Sequence, residues 1–305
     1  MQTVGRFAPS PSGRMHLGNV LCALLAWLSA RHQNGAFLLR IEDLDAMRCP
    51  RSYADLIMDD LRWLGLDWDG EVPYQSERSE IYEKYENILR EKGLLYPCFC
   101  SRAALHAASA PHLSDGRVLY AGTCRGLSLE EIADKRKKRA PATRVRVPDE
   151  EISFTDGVFG EYRENLAKEC GDFIIRRSDG VFAYQLAVTV DDGLSGVTEV
   201  VRGSDLISST PRQIWLYRLF GFEPPHFIHI PLLCDVDGRR LSKRDEDLDL
   251  GLLRERFSPE QVIGALAFAA GLTESAAPVS AKELVPSFDW KRVPTHELYL
   301  PPVFR

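Results

Sequence analysis

Two polar segments, far apart in the chain, carry residue types that suit the binding of phosphate. The first reads Arg-Phe-Ala-Pro-Ser-Pro-Ser-Gly-Arg-Met-His-Leu-Gly-Asn from Arg6 to Asn19, and the second reads Arg-Leu-Ser-Lys-Arg from Arg240 to Arg244. The first segment predicts a short strand, a turn and then a helix. The N-terminus of such a helix offers free N–H groups and a positive dipole to phosphate, and the histidine of the segment would add a side-chain donor.

Activation of a carboxylate by ATP is the chemistry that would need both segments. The carboxylate attacks the α-phosphate and expels pyrophosphate, so the protein has mainly to position two anions and neutralise the developing charge. The second segment holds three cations within five residues, Arg240, Lys243 and Arg244. Taken singly, the segments have simpler interpretations, a helix-capping histidine and a solvated basic turn. Their presence together favours a nucleotide site.

Charged residues at the ends of predicted strands could bind an acidic amino acid. Arg6 and Arg202 both end strands, and an arginine fork pairs a carboxylate in a bidentate way. Glu42 ends another predicted strand and could accept from an ammonium group. Simpler interpretations exist here too, because strand-end arginines often cap carbonyls and Glu42 could pair with Arg40 or Arg48. The convergence of several such residues favours an amino-acid site.

Three of the seven cysteines are grouped in a way that predicts a metal. Cys98 and Cys100 form a Cys-x-Cys pair, and Cys124 follows some two dozen residues later. A structural zinc takes four ligands, normally Cys or His. The spacing leaves three candidates for the fourth ligand: Tyr120, His106 and His112. The alternative is a set of thiols without a metal.

The elements that must position these residues alternate between strand and helix. Strands are predicted over residues 4–7, 37–42, 172–176, 183–190, 197–202 and 227–233. Helices are predicted over residues 17–30, 52–64, 81–92, 211–219 and 259–270. Such alternation is typical of an α/β fold with a doubly wound, Rossmann-like parallel sheet, in which ligands bind at the carboxyl ends of the strands.

Changes in local composition divide the chain into four parts. We expect the first half of the core at residues 1–96, an insertion that carries the metal candidate at 97–170, the second half of the core at 171–250, and a short helical region at 251–305. The insertion contains the basic run 135–139, which is equally consistent with a phosphate-binding face and with a solvated helix end.

Composition limits the class of protein. The chain has 305 residues, of which 45% are apolar and 27% are charged, which is ordinary for a globular enzyme. A net charge of −6 argues against broad, non-specific binding of nucleic acid. No membrane-spanning run and no secretory pattern are present, so we expect a cytoplasmic protein, and we expect a monomer.

The two polar segments resemble the signatures of class I aminoacyl-tRNA synthetases. His16-Leu17-Gly18-Asn19 is similar to their HIGH motif and Arg240–Arg244 to their KMSKS loop, and the form Arg-Phe-Ala-Pro-Ser-Pro-Ser-Gly narrows the match to the glutamate and glutamine branch. The resemblance implies that glutamate is bound by Arg6, Phe7, Ala8, Pro9, Ser10, Glu42, Tyr184 and Arg202. It implies that ATP, a substrate with magnesium, is bound by His16, Gly18, Asn19, Arg240, Ser242 and Lys243, of which His16 and Lys243 are catalytic.

The cysteine pattern narrows the resemblance to short paralogues of glutamyl-tRNA synthetase. Cys-x-Cys followed by Tyr-x-x-x-Cys is similar to their zinc motif, which implies one structural zinc on Cys98, Cys100, Tyr120 and Cys124. One departure is Val188, where synthetases that discriminate glutamate carry Asn.

These paralogues attach glutamate to the queuosine base in the anticodon loop of tRNA(Asp). The resemblance therefore implies three partners, L-glutamate, ATP and queuosine-bearing tRNA(Asp). The sequence after the second segment has room for only a few helices, too few for an anticodon-binding region, which agrees with this interpretation. Two alternatives stay open, a truncated synthetase that charges a tRNA 3′ end and a non-catalytic paralogue that binds glutamate or RNA.

Overall fold

A computed structural model of the protein describes residues 2–101, 119–234, 249–300 and 304. The chain begins with β1 (Val4–Phe7), α1 (Leu17–His32) and β2 (Ala36–Leu39). β1 and β2 pair in parallel, with Val4 opposite Ala36. α1 is apolar along nearly its whole length, and most of its side chains are buried, as expected for a helix that is hydrophobic on every side. The helix therefore forms the centre of the core.

Two amphipathic helices follow, α2 (Arg51–Trp63) and α3 (Ser79–Glu91), as the spacing of their apolar residues predicts. In α2 the side chains of Ala54, Ile57 and Leu61 are buried, three or four residues apart on one face. Each helix is followed by one C-cap residue and then by a glycine in the left-handed region, and Gly93 after α3 has φ of 68°. α2 packs into the same apolar core as α1, whereas the buried apolar residues of α3 belong to a second core.

An antiparallel part of the chain comes next. Its elements are β3 (Leu95–Cys98), α4 (Leu129–Lys138), β4 (Ala142–Val145), β5 (Glu151–Asp156), β6 (Gly160–Asn165) and β7 (Phe173–Arg176). β3, β4 and β7 form one antiparallel sheet, and β5 and β6 form a hairpin. The sequence predicts that residues 172–176 belong to the parallel sheet, whereas β7 pairs with β4 in an antiparallel direction. A short apolar run does not determine whether a strand pairs in a parallel or an antiparallel way.

The second half of the parallel arrangement contains α5 (Tyr184–Leu194), β8 (Glu199–Gly203), α6 (Thr210–Phe220) and β9 (His226–Ile230). β8 and β9 pair in parallel. β1 lies beside β8, since the N–H of Thr198 donates to the carbonyl of Val4 at 3.0 Å. The two halves of the chain therefore meet in one place, and the predicted α/β fold with parallel strands is confirmed.

The predicted strand over residues 183–190 is wrong, because this segment forms the helix α5. Its run of apolar and β-branched residues favours a strand by propensity. Short apolar runs of this kind cannot be distinguished from buried helices by periodicity. Residues 186–192 are all buried, so the packing on every side of the segment decides its structure.

The chain closes with β10 (Leu233–Cys234), α7 (Leu250–Arg256), α8 (Pro259–Ala269), α9 (Ala281–Leu284) and β11 (Leu298–Tyr299). The helix predicted over residues 259–270 is confirmed as α8, which starts with a capping box between Ser258 and Gln261 and has proline in its first turn. Within the described ranges, no helix combines the length and apolar character needed to cross a membrane.

Candidate active site and metal centre

A cavity of about 480 Å³ opens at the carboxyl ends of β1, β8 and β9. Its wall includes most of the residues that the sequence proposes as a site: Arg6, Phe7, Ala8, Pro9, Ser10, His16, Gly18, Asn19, Glu42, Tyr184 and Arg202. These residues come from both halves of the chain. The place agrees with the rule that ligands of α/β folds bind at strand ends.

Arg6 lies in the cavity wall as part of a buried ion-pair network. Its Nε donates to Asp192 Oδ2 at 3.3 Å, and its Nη1 donates to the carbonyl of Val201 at 3.1 Å. Arg40 donates to the same aspartate at 2.6 Å. Although burial opposes the charged form, the carboxylate of Asp192 raises the pKa of Arg6 above its ordinary value. Arg6 is thus a permanent cation whose charge is already compensated.

Glu42 is buried beside the same network. Its Oε1 accepts from Arg40 Nη2 at 3.0 Å, and its own N–H donates to the carbonyl of Pro9. Burial raises the pKa of Glu42, and Arg40 opposes that effect only in part. An ammonium ligand in the cavity would add a second positive charge near this carboxylate and favour its ionised form.

Arg202 differs from Arg6 because its described partners are all neutral. Its five N–H groups donate to His229 Nε2 at 3.0 Å, Gln213 Oε1 at 2.8 Å, Thr210 Oγ1 at 2.7 Å, Tyr184 Oη at 3.3 Å and the carbonyl of Leu206 at 3.4 Å. The residue is only 4% exposed. Burial of a cation without an anion is costly, so the arrangement suits a ligand that carries a carboxylate.

His16 is the N-cap of α1 and also lines the cavity. Its Nδ1 accepts from the N–H of Gly18 at 3.1 Å, and Asn19 Oδ1 accepts from the N–H of His16 at 3.3 Å. Because Nδ1 is an acceptor, the neutral imidazole carries its proton on Nε2. The helix-capping interpretation therefore describes the position of His16 in the structure.

The predicted residues Arg240, Ser242 and Lys243 lie outside the described residues. The residues on either side of their segment are at the cavity. Leu233 lines it, and Asp249 forms a bridge with His16. The described chain therefore reaches the cavity wall both before and after this segment.

A second cavity of about 360 Å³ adjoins the first. The two share Ser10, Glu42 and Tyr184 in their walls. At its other end lie Asp45 and Arg177, which form an ion pair of 3.0 Å. Val188, at the position where discriminating synthetases carry Asn, is buried inside α5. The two cavities therefore adjoin at Ser10, Glu42 and Tyr184.

The sulfur atoms of Cys98, Cys100 and Cys124 lie within 4.8 Å of one another. Those of Cys100 and Cys124 are 3.8 Å apart, which is about the separation expected for two thiolates each ~2.3 Å from one tetrahedral zinc. The hydroxyl of Tyr120 lies 3.7 Å from Cys98 Sγ and accepts from the N–H of Cys124 at 2.8 Å. The donor set fits one zinc, with Tyr120 at the cluster; His106 and His112 lie outside the described residues.

Arg144 supports the cysteine cluster from one side. Its Nε donates to Cys98 Sγ at 3.2 Å, and its guanidinium stacks over the ring of Tyr120 at 3.7 Å. Burial raises the pKa of the Cys98 thiol, but the hydrogen bonds from Arg144, the N–H of Cys100 and Tyr120, together with the charge of Arg144, outweigh it, so the net shift is downward. For Cys100, burial and the neighbouring sulfur atoms both act in the same direction and raise the pKa to about 11.

The sequence did not reveal the acidic residues that hold the two cavity arginines. Asp192 compensates Arg6 directly, and Asp156 lies behind Arg202 through His229, with a separation of 2.6 Å between carboxylate and imidazole. The adjacent aspartates in the apolar run 186–192 were a usable indication, because a buried carboxylate needs a partner. The sequence gives no comparable indication that Asp156 pairs with His229, because the two residues are 73 positions apart.

Comparison with known proteins agrees with this geometry. Residues 2–296 match the family model described as the catalytic domain of class I tRNA synthetases for E and Q. The solved glutamate tRNA ligase of Elizabethkingia meningosepticum, in complex with its amino acid, superposes with a TM-score of 0.84 at 28% identity, over 100% of this chain and 68% of that one. The glutamate-tRNA synthetase of Elizabethkingia anophelis gives 0.85 at 28% identity, over 100% of this chain and 69% of its own. The chain belongs to the class I tRNA synthetase family, and its fold is that of the catalytic domain.

Curated relatives narrow the class. The Glutamyl-Q tRNA(Asp) synthetase of Symbiobacterium thermophilum is 50% identical, with 97% of this chain and 95% of the relative covered. The protein of the same name from Nitratidesulfovibrio vulgaris is 47% identical with the same coverage. The chain belongs to the glutamyl-Q tRNA(Asp) synthetase family, and it is a ligase.

Proposed function

We propose that the protein activates glutamate with ATP in the absence of tRNA and then transfers the glutamyl group to queuosine in the anticodon loop of tRNA(Asp). The observation that carries the proposal is Arg202, a buried cation with only neutral described partners, in a cavity that the buried carboxylate of Glu42 also lines. A buried cation and a buried carboxylate in one cavity suit an amino acid with an acidic side chain. The cation can bind the side-chain carboxylate, and the carboxylate can accept from the ammonium group.

In this proposal the glutamate site is formed by the residues of β1 and its turn together with three residues from elsewhere: Arg6, Phe7, Ala8, Pro9, Ser10, Glu42, Tyr184 and Arg202. Arg202 binds the side-chain carboxylate, and Tyr184, 3.3 Å from it, adds a hydroxyl on the same side. Glu42 accepts from the ammonium group. Arg6 contributes its positive potential while Asp192 holds it in place.

Activation then joins an oxygen of the α-carboxylate to the α-phosphorus of ATP and breaks the bond to pyrophosphate. ATP, with its magnesium, is held by His16, Gly18, Asn19, Arg240, Ser242 and Lys243. The Nε2–H of His16 and the N-terminus of α1 donate to phosphate oxygens, and Lys243 neutralises the charge that develops on them. Catalysis by positioning and charge requires no covalent intermediate with the protein.

Transfer requires an acceptor beside the activated glutamate. A hydroxyl of the cyclopentene diol of queuosine attacks the acyl carbon, an ester forms, and AMP leaves. The second cavity would admit this base, because it shares Ser10, Glu42 and Tyr184 with the first. The ribose 2′,3′-diol of a tRNA 3′ end is chemically similar, which is why the alternative acceptor must be tested.

A single structural zinc completes the proposal. Cys98, Cys100, Tyr120 and Cys124 would hold it, and it would supply cross-linking of β3 to the segment before α4 rather than chemistry. Arg144, which donates to Cys98, would orient that ligand.

The test is transfer of labelled glutamate, with ATP, to tRNA prepared with or without queuosine. We expect label on queuosine-bearing tRNA(Asp), no loss of label when the 3′ terminus alone has been oxidised, and no label on queuosine-free tRNA. Transfer to unmodified tRNA(Glu) instead would support the truncated synthetase. Absence of both transfer and activation would support the non-catalytic paralogue.

A further inference from the structure

We propose that Asp156 and His229 are positioning residues for the amino-acid site, where they hold the Arg202 guanidinium in the orientation that receives a carboxylate. The proposal rests on the proposed function for the identity of that carboxylate. It goes beyond it by assigning a role to a buried Asp–imidazole pair that does not line the cavity.

The three groups form a continuous chain of hydrogen bonds. Asp156 Oδ2 lies 2.6 Å from His229 Nδ1, and Arg202 Nε donates to His229 Nε2 at 3.0 Å. The side chains of Asp156 and His229 have no exposed surface. The order of the chain is therefore carboxylate, imidazole, guanidinium, cavity.

The protonation of the imidazole follows from its neighbours. A guanidinium can only donate, so Nε2 of His229 must be the acceptor and must lack a proton. The proton is then on Nδ1, where Asp156 accepts it. Burial and the positive charge of Arg202 both lower the pKa of His229, against the effect of Asp156. The ring is neutral and its tautomer is fixed.

Asp156 is itself held rigidly. Its Oδ1 accepts from the backbone N–H groups of Val158 and Phe159, and its Oδ2 accepts from the N–H of His229. The imidazole lies nearly parallel to the ring of Phe227 at 6.4 Å, with an angle of 11° between the planes. A carboxylate fixed by backbone donors and a stacked ring leave His229 one orientation.

Orientation matters because the hydrogen bonds of Arg202 are unequal. Nη1 makes a short contact with Gln213 at 2.8 Å and a long one with Tyr184 at 3.3 Å. Nη2 makes a short contact with Thr210 at 2.7 Å and a long one with Leu206 at 3.4 Å. Tyr184 and Leu206 are the two partners that line the cavity. A carboxylate can thus displace the two weak contacts in a bidentate way, while His229 and the short contacts hold the plane of the guanidinium.

Asp156 also places the pair at the contact between the β5–β6 hairpin and β9. Asp156 ends β5 in the β5–β6 hairpin, and the next residue, Gly157, donates to the carbonyl of Phe227 in β9. A Cβ at Gly157 would lie 2.7 Å from Ile228, so the hairpin contacts β9 closely. Asp156 and His229 therefore connect the hairpin of the insertion to Arg202 in the amino-acid pocket.

Two substitutions of His229 separate positioning from mere packing. His229→Gln places an acceptor where Nε2 was and loses the partner of Asp156, whereas His229→Asn keeps a donor to Asp156 and loses the acceptor for Arg202. If the pair acts through Arg202, His229→Asn should raise the KM for glutamate in pyrophosphate exchange about 10- to 100-fold, the cost of one hydrogen bond to a charged group. His229→Gln should raise it far less, and the KM for ATP should not change in either variant.

The opposite order, with the larger effect in His229→Gln, or equal effects in both, would overturn the proposal in favour of a packing role. Asp156→Asn provides an independent variant if one of these does not fold. It should raise the glutamate KM in the wild-type background and add nothing in the His229→Gln background, and additive effects would contradict the proposed order.

A spectroscopic measurement tests the positioning without any substrate. The ¹⁵N spectrum of the ligand-free protein should show His229 with a protonated Nδ1 and an unprotonated Nε2, and Asp156→Asn should weaken that preference. The reverse tautomer would overturn the inference even if glutamate is activated. Absence of glutamate-dependent exchange in the wild type, with the expected tautomer present, would refute the proposed function and leave the hydrogen-bond chain intact.

Discussion

At the scale of single residues, the cavity contains two arginines with different electrostatic states. Arg6 has a carboxylate partner at 3.3 Å, whereas Arg202 donates only to neutral groups among the described residues. The first is expected to contribute mainly to stability, because removal of one partner of a buried ion pair leaves a buried charge. The second is expected to contribute mainly to ligand binding. The two roles can be separated by substitution.

Arg202→Lys should raise the KM for glutamate about 10- to 100-fold, because lysine cannot form the bidentate pair with a carboxylate. The positive charge is kept, so the change would report geometry rather than charge. The control is Arg31→Lys, whose ion pairs with Asp67 and Asp69 are remote from the cavity wall. Pyrophosphate exchange measured at varied glutamate concentration gives the KM. An unchanged KM in Arg202→Lys would contradict the bidentate binding of the carboxylate by Arg202.

Asp192→Asn should lower the free energy of unfolding by about 3–5 kcal/mol at neutral pH, because Arg6 and Arg40 lose their shared carboxylate. Burial raises the pKa of Asp192, but the two arginines outweigh it and lower the pKa below its ordinary value. This stabilisation is present above the pKa of an unfolded carboxyl, about 4, and is lost as the pH falls through the lower native pKa.

Denaturant unfolding at pH 7 and at decreasing pH measures the effect of Asp192→Asn. The difference between wild type and variant should narrow below about pH 4. The matched control is Asp179→Asn, whose half-exposed pair with Arg177 is expected to contribute little. A constant difference down to the acid limit would show that the effect does not come from ionisation of the carboxyl.

At the scale of elements, α4 stands apart because none of its residues is buried. Its first turn holds Glu130 and Glu131 and its last turn holds the basic run that continues to Arg139, which stabilises the helix through its dipole. Of the basic residues in this helix, only Lys137 has a described ion-pair partner, Asp134. The other cations at this exposed helix end are suited to phosphates of a tRNA.

Neutralisation of this helix end should weaken binding of tRNA and leave activation of glutamate unchanged. Changing Lys135, Lys138 and Arg139 to Gln should reduce the slope of log affinity against log salt by about 0.7–0.9 for each phosphate that the variant no longer neutralises. The control replaces the same number of exposed cations in the C-terminal region, Lys282, Lys291 and Arg292. Equal effects of the two triple variants would show that only net charge matters.

The metal cluster gives a prediction for the segment between β3 and α4. Metal analysis should return about one zinc per chain, and Cys98→Ser should release it and destabilise this segment, since metal binding there is coupled to folding. Cys170→Ser, a thiol outside the cluster, should retain the metal. Loss of zinc in Tyr120→Phe would support Tyr120 as the fourth ligand, and full retention would transfer that position to His112 or another group. A fully active protein without zinc would contradict the site.

The elements also show how much the sequence could predict and why. β1, α1 and α8 follow from local patterns, such as apolar periodicity and capping residues. The segment at residues 183–190 does not, because its burial on every side is decided by elements distant in sequence. The cavity-lining residues lie in local motifs, so the sequence could predict them. Asp156 and His229 are 73 positions apart and belong to no motif, so only the structure shows that they pair.

At the scale of the whole molecule, the amino-acid cavity is built from two halves of the chain that contact each other directly. Arg6 and Glu42 come from the first half, and Tyr184 and Arg202 come from the second. Protein groups hold three of these side chains: Arg40 contacts Glu42 at 3.0 Å, Asp192 contacts Arg6 at 3.3 Å, and His229 contacts Arg202 at 3.0 Å. The glutamate site should therefore be complete before tRNA binds.

Glutamate should accordingly support exchange of labelled pyrophosphate into ATP in the absence of any tRNA, and addition of queuosine-free tRNA should not increase the rate. Aspartate is shorter by one methylene, and glutamine lacks the charge that would compensate Arg202, so neither should give comparable exchange. Glutamine is the sharper comparison, because it matches glutamate in shape and differs in charge. Exchange that appears only when tRNA is added would mean that RNA assembles the site, and equal exchange with glutamine would remove the role assigned to the charge of Arg202.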